Sequence, residues 1–190
     1  MKQYIIGIIC FILFSCATEA IHSSNKTKQS KTSNLSTETE LECNMYNSFA
    51  YENFDNKDFR STVDNYKYMI ELGCSQKYAE YIFDKMGRAY IELGNRDSAS
   101  IMFKQGLKYL NENEGLLTIA AWNAGKLDLV DEQITYLDML LDINNKNVKV
   151  FEDLSDVYRD NGMFEEQVIV LNEWLKVDSI NKKANAEKKA

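Results

Sequence analysis

Apolar residues recur at helical spacing through most of the chain, and the pattern is sharpest between Tyr81 and Asn113. Phe83, Met86, Gly87 and Tyr90 fall at i, i+3, i+4 and i+7, which lines one face of a helix. Ala99, Met102, Phe103, Gly106, Leu107 and Leu110 line a second. Between them stands Gly94-Asn95. Gly94 suits the left-handed conformation that closes a helix, and Asp97 or Ser98 suits the cap of the next. A break this short forces the two helices antiparallel. The small Gly87, Ala99 and Gly106 face the seam, while Tyr90 and Phe103 fill it. Neither helix is long enough to be stable alone in water, so the hairpin needs neighbours.

Its neighbours follow the same pattern. In Cys43–Gln76, Tyr46, Phe49 and Ala50 line a first helix and Thr62, Tyr66 and Met69 a second, with Asn56-Lys57 in place of the turn glycine. In Asn111–Lys146, Leu117, Ala121 and Gly125 lead into Ile134, Leu137, Leu140 and Leu141. In Val148–Asn181, Phe151, Leu154, Tyr158 and Gly162 lead into Gln167, Leu171, Trp174 and Leu175.

Gly87, Tyr90, Gly94, Ala99, Phe103 and Gly106 together resemble the tetratricopeptide repeat (TPR), a helix-turn-helix unit of ~34 residues. The resemblance spans residues 41–181. It implies an all-α fold, a TPR-like α-solenoid of about four helix pairs, enough units for a stable stack. The chain departs from the pattern in three places. Asn111 stands where the family often has Pro, and the chain contains no Pro at all. Gln133 replaces a small residue. The third turn, around Lys126–Asp131, reads about three residues longer than the consensus. Residues 182–190, KKANAEKKA, read as a charged tail or as the start of a further helix.

Scarce glycine and absent proline agree with an all-α chain. Net charge is −7. Residues 1–40 carry +1 and residues 182–190 carry +3, which leaves −11 on residues 41–181. So acidic a body lacks the basic footprint of a nucleic-acid binder.

The N-terminus carries a different signal. Met1-Lys2-Gln3 precedes an apolar run, Tyr4–Phe14, too short to span a bilayer as a helix. A charged start, a short apolar core and a small residue make a secretory signal, residues 1–15. Its end, Leu13-Phe14-Ser15-Cys16, resembles the bacterial lipobox. That resemblance implies cleavage before Cys16 and acylation of Cys16, with several acyl chains giving stable anchoring. The expected location is the cell envelope, with the outer membrane favoured because Ala17 is not the Asp-type retention signal. Residues 16–40 follow as a Ser/Thr-rich flexible tether, whose 24 residues after Cys16 reach ~80 Å when extended. The only histidine, His22, lies there, where nothing rigid holds it for catalysis or metal binding.

Two further cysteines lie in the body. Cys43 opens the first helix of its repeat and Cys74 follows the second, so an antiparallel hairpin brings them near each other. In an oxidising compartment a Cys43–Cys74 disulfide is one reading, and two free thiols is the other. Their spacing is not that of a zinc or thioredoxin site. No phosphate loop, dinucleotide fingerprint, zinc-protease motif or nucleophile elbow occurs. The carboxylates fall at turns and helix starts, where the positive helix end favours them. The expectation is a chain with no catalytic residues, no metal and no cofactor.

Binding is the remaining function. The TPR resemblance implies a concave groove lined by residues of each first helix that do not enter the seam. Carried over, these are Asn47, Tyr51 and Phe54 in the first pair and Tyr81, Asp84, Arg88 and Glu92 in the second. Trp122 and Asn123 follow in the third, and Glu152, Asp156 and Arg159 in the fourth. Aromatics mixed with charges suit a helix or an extended peptide. Packing of Tyr51, Phe54 and Trp122 between repeats is the competing reading. The expected function is a non-enzymatic protein-protein interaction scaffold at the envelope. The alternative is a carbohydrate- or nutrient-binding surface lipoprotein.

Overall fold

The computed structural model describes residues 35–188. The signal at 1–15, Cys16, His22 and most of the proposed tether lie outside the described residues. Among those described, the chain forms nine helices and no strand: α1 (Thr37–Asp55), α2 (Phe59–Glu71), α3 (Ser75–Glu92), α4 (Arg96–Leu107), α5 (Glu114–Lys126), α6 (Val130–Ile143), α7 (Val148–Asp160), α8 (Phe164–Val177) and α9 (Lys182–Glu187). Helices α1/α2, α3/α4, α5/α6 and α7/α8 are hairpins, and each even-numbered helix packs on the next odd-numbered one. The architecture is a TPR-like α-solenoid of four pairs followed by a short ninth helix.

The hairpin turns share one device. Each has a residue in the left-handed region: Lys57 (φ 62), Gly94 (φ 76), Asp128 (φ 55) and Gly162 (φ 70). Asp128 follows Gly94 by 34 residues and Gly162 follows Asp128 by 34, whereas Gly94 follows Lys57 by 37. The third turn is therefore not longer than the others. Three residues, Leu127, Asp128 and Leu129, join α5 to α6, as three join α3 to α4. The turn glycine of the third pair is replaced by Asp128, and Gly125 belongs to α5, with Gln133 packed over it. Asp is among the few side chains that tolerate this backbone conformation.

Capping also differs from expectation at one place. Asn95 caps α4, its Oδ1 accepting from the Ser98 N–H at 3.0 Å, so neither Asp97 nor Ser98 is the cap. Asp58, Asn113, Asn147 and Asn181 cap α2, α5, α7 and α9 in the same way. Each satisfies a backbone N–H that the first turn leaves without a helical partner.

The core follows the small residues of the seams. A Cβ on Gly106 would lie 2.6 Å from Phe83 Cβ and 2.9 Å from Leu116 Cδ2, so only glycine lets α4 approach α3 and α5 this closely. Phe103 is 1% exposed and fills the seam opposite Gly87. Phe49 is not a seam residue. It is 47% exposed, although Met86, Ala120 and Leu154, each also eight residues before its turn residue, are buried. In the later pairs that station faces the preceding even-numbered helix. Among the described residues no helix precedes α1, so Phe49 has nothing to pack under.

The first pair is fastened differently. α1 starts at Thr37, capped by Ser36, so Thr37–Glu40 are helical and Cys43 lies in the second turn rather than opening the helix. The extra residues between the first two turns fall at the start of α3, which has 18 residues against 13 in each of α5 and α7, next to a short α2–α3 connection. There Gly73 takes φ 83, Cys74 precedes α3, and α3 kinks at Tyr78 (φ −115). Cys43 and Cys74 are bonded, with Cα atoms 6.0 Å apart, and both are fully buried.

Candidate functional site

The odd-numbered helices share one face, and three of the exposed aromatic residues, Tyr51, Tyr81 and Trp122, lie on it; others, such as Phe164 and Tyr109, lie elsewhere. Tyr51 is 44% exposed, Tyr81 45% and Trp122 42%. They are not sealed between repeats. Phe54 is partly buried, its ring 5.6 Å from that of Phe59. A cleft of about 480 Å³ runs beside them, lined by Phe54, Asp84, Lys85, Arg88, Glu92 and Trp122 among others. A second cleft, about 930 Å³, opens between α5, α6 and α7, with Trp122 and Lys126 on one wall and Asp153 and Asp156 on the other.

Cations sit on the aromatic faces. The Lys85 ammonium lies 4.9 Å from the Tyr51 ring centre and 4.5 Å from that of Phe54. The Arg96 guanidinium lies 4.6 Å from Trp122, and Lys126 lies 6.0 Å away. Each is an attraction of the ring quadrupole for a positive charge. Arg88 Nε donates to Asp84 Oδ1 at 2.8 Å, one helical turn apart. That leaves the second Asp84 oxygen free of any ion pair in the described residues. Glu92 is exposed one turn beyond Arg88.

Three of the expected groove residues face other tasks. Asn123 does not line the groove. It is 1% exposed, its Nδ2 donating to the Arg96 carbonyl at 3.1 Å and its Oδ1 accepting from Arg96 Nη1 at 3.3 Å. A helix turns about 100° per residue, so the neighbour of the exposed Trp122 points into the α4–α5 seam. Asp156 and Arg159 lie on the right face but are bound into ion pairs. Asp156 accepts from Lys183 of α9 at 2.9 Å and from Arg159 at 2.8 Å. Arg159 also reaches Asp160 and Glu187.

Lys85 and Arg96 were not legible as site residues. Lys85 had a signal: positions 81, 84, 85 and 88 are the i, i+3, i+4, i+7 set of the exposed face, and its omission broke that spacing. Arg96 had none, because it belongs to α4 and reaches Trp122 only through the fold. Among the described residues no group of three or more His, Cys, Asp and Glu side chains gathers to hold a metal ion.

No protein-family model matches the chain, and no curated protein matches its sequence. Solved structures do match in shape. The MamA protein superposes with a TM-score of 0.63 at 15% identity, over 78% of this chain and 80% of that one. A tetratricopeptide repeat protein from Parabacteroides merdae gives 0.65 at 14%, over 77% and 57%. YrrB, described as a TPR protein with an unusual peptide-binding site, gives 0.58 at 19%, over 75% and 72%. At these identities the likeness is one of fold.

Proposed function

We propose that this chain is a non-enzymatic interaction scaffold of the bacterial cell envelope, held to the membrane by acyl chains on Cys16. The face of α1, α3, α5 and α7 takes a helix or an extended peptide of a partner protein. The observation that carries this reading is the row of half-exposed Tyr51, Tyr81 and Trp122 along adjacent odd-numbered helices, with clefts beside it. Large aromatic rings give contact area at low entropic cost, and ion-paired side chains between them set register. The solenoid fold agrees with such a role, and one neighbour of that fold is described as having a peptide-binding site. The lipobox-like Leu13–Cys16 supports the anchor, and the outer membrane is the favoured location.

A carbohydrate platform finds less support. Stacked sugars need a bare ring, and Arg96 covers a face of Trp122.

The test is affinity capture from detergent-solubilised membranes, with crosslinking, using the full chain and its Tyr81→Ala/Arg88→Ala variant. The variant is expected to keep its helical circular dichroism and lose its captured partner. Unchanged capture would remove the groove from the proposal. Acylation is read separately, by the mass of the mature protein and its loss in Cys16→Ser.

A further inference from the structure

The joints between successive pairs of the stack differ at one place. Three pairs of residues stand in corresponding positions, 34 residues apart: Ile91 with Ile119, Gly125 with Asp153, and Arg159 with Glu187. On α3 and α5, Ile91 and Ile119 are both partly buried against one apolar core. On α7 and α9, Arg159 Nη1 donates to Glu187 Oε1 at 3.2 Å. Between α5 and α7 no such bridge forms, because Gly125 has no side chain and Asp153 pairs with Lys149 at 2.9 Å. The cleft of about 930 Å³ opens at that joint, and Gly125 and Asp153 both line it.

A glutamine lies at each of the last two joints. In the joint with α9, Gln167 Nε2 of α8 donates to Ser155 Oγ and to Glu187 Oε2, each at 3.3 Å. In the cleft, Gln133 of α6 stands at the same station, with its amide laid over Gly125. The two acceptors are gone. Ala121 replaces Ser155, and Asp153, one methylene shorter than Glu187, is held by Lys149. Lys126, next to Gly125, lines the same wall, is exposed and enters no ion pair among the described residues; its nearest aromatic ring is that of Trp122, 6.0 Å away. Three carboxylates of the opposite wall already hold cations: Asp153 has Lys149, Asp156 has Lys183, and Asp160 has Arg159. Asp128, a fourth, lies in the turn beyond α5. Around Gly125, the unmet capacity is thus an N–H donor beside a positive charge, over an apolar floor of Leu137 and Leu140. An acceptor that carries negative charge meets both, and hydrogen bonds to such acceptors are the strong ones.

We propose that this cleft is a subsite for a glutamate side chain of the partner peptide. Its carboxylate takes the place that Glu187 holds one repeat on, accepting from Gln133 Nε2 and pairing with Lys126. This rests on the groove reading above and adds the chemistry of one occupant.

The experiment records the side-chain amide resonances of the full chain in detergent, isotopically labelled at its glutamines, as acetyl-Ala-Glu-Ala-amide is added. Gln133 is assigned by its loss in Gln133→Met. Gln167 is the internal reference, since it is already bonded to Glu187. The peptide is expected to move the Gln133 signal saturably and to leave that of Gln167 in place. Counterparts with glutamine or lysine for glutamate, and acetyl-Ala-Ala-Ala with a free C-terminus, are expected to bind about tenfold weaker or more. Lys126→Gln is expected to weaken the glutamate peptide about threefold to tenfold. Gly125→Arg is expected to abolish the shift by filling the cleft, as Arg159 spans the next joint. A Cβ at Gly125 would first meet the end of the Gln133 side chain, which can move aside, and an unmoved Gln167 signal checks that the variant is folded. No shift at Gln133, binding that ignores peptide charge, equal binding of the free-acid peptide, or binding unchanged in both variants would overturn the subsite. If that happens while Tyr81→Ala/Arg88→Ala still loses the captured partner, the groove reading stands and the subsite alone is lost. If Gln133 responds as expected but the captured partner survives that double variant, the groove reading has failed and the cleft stands as a separate carboxylate site.

Discussion

The first and last described pairs are fastened by different means. At the first pair the main fastening is covalent, beside an Asn44–Tyr78 hydrogen bond and a Glu40–Lys77 ion pair between α1 and α3. Cys43 ties α1 to the α2–α3 connection, and the Tyr46 ring lies 4.4 Å from that of Tyr68. At the last pair it is ionic and hydrogen-bonded. Glu187 of α9 accepts from Ser155 Oγ at 2.8 Å and from Gln167 Nε2 at 3.3 Å, both buried, and Lys183 bridges Glu152 and Asp156. Each repeat in a stack draws stability from the neighbours it packs on. The difference teaches that the kind of fastening decides which condition loosens a pair.

Removing the bond should have the largest effect. Closure of the loop between residues 31 apart stabilises by about 3–4 kcal/mol in the chain-entropy account. Cys43→Ser/Cys74→Ser is expected to lose about that much in urea unfolding, with amide exchange rising first in α1. Loss confined to α7–α9 would contradict the comparison. In the last pair, Glu187→Ala leaves the buried Ser155 without its acceptor and Gln167 with Ser155 Oγ alone, at 3.3 Å. It is expected to cost about 1–3 kcal/mol, with exchange rising in α9 and not in α1. Phe49→Ala sharpens the contrast within one station of the repeat. Truncating the buried Leu154 to alanine should cost about 2–5 kcal/mol, while the half-exposed Phe49 should lose well under half of that. Equal losses in the two melts would mean that Phe49 is covered in solution.

Acid should act most weakly, on both pairs. Hydrogen bonds from the Ser61 side chain and backbone hold the Asp58 carboxyl below its ordinary value. Lys183, then Lys149, do the same for Glu152. A depressed carboxyl adds stability that is present above its unfolded value and is lost as pH falls through its folded value. Melting temperature is therefore expected to fall below about pH 4, and to fall less steeply in Asp58→Asn, which keeps the cap without the charge. An identical pH profile in that variant would remove Asp58 from the account.

The repeat was legible because it is made of local signals. Small residues at Gly87, Ala99 and Gly106 and aromatics at Tyr90 and Phe103 mark the seam by spacing alone. The third turn was misread for an equally local reason: Asp128 does the work of a glycine, and the nearest glycine, Gly125, lies in the helix before it. The face of the odd-numbered helices was legible at Tyr51, Tyr81 and Trp122, since helical spacing turns them away from the seam. Asn123 was placed wrongly because one residue is a third of a turn. The Arg96–Trp122 contact and the Gln167–Glu187 bond come from pairs of helices meeting, and no spacing within one helix carries that information.

The central claim is that partners are held on the face of the odd-numbered helices. A photoreactive phenylalanine analogue placed at Tyr81 or Trp122, and for contrast at the exposed Ile101 of α4, tests it in intact membranes. The account predicts the same crosslinked partner from positions 81 and 122 and none from 101. Crosslinks from 101 with none from 81 and 122 would contradict it.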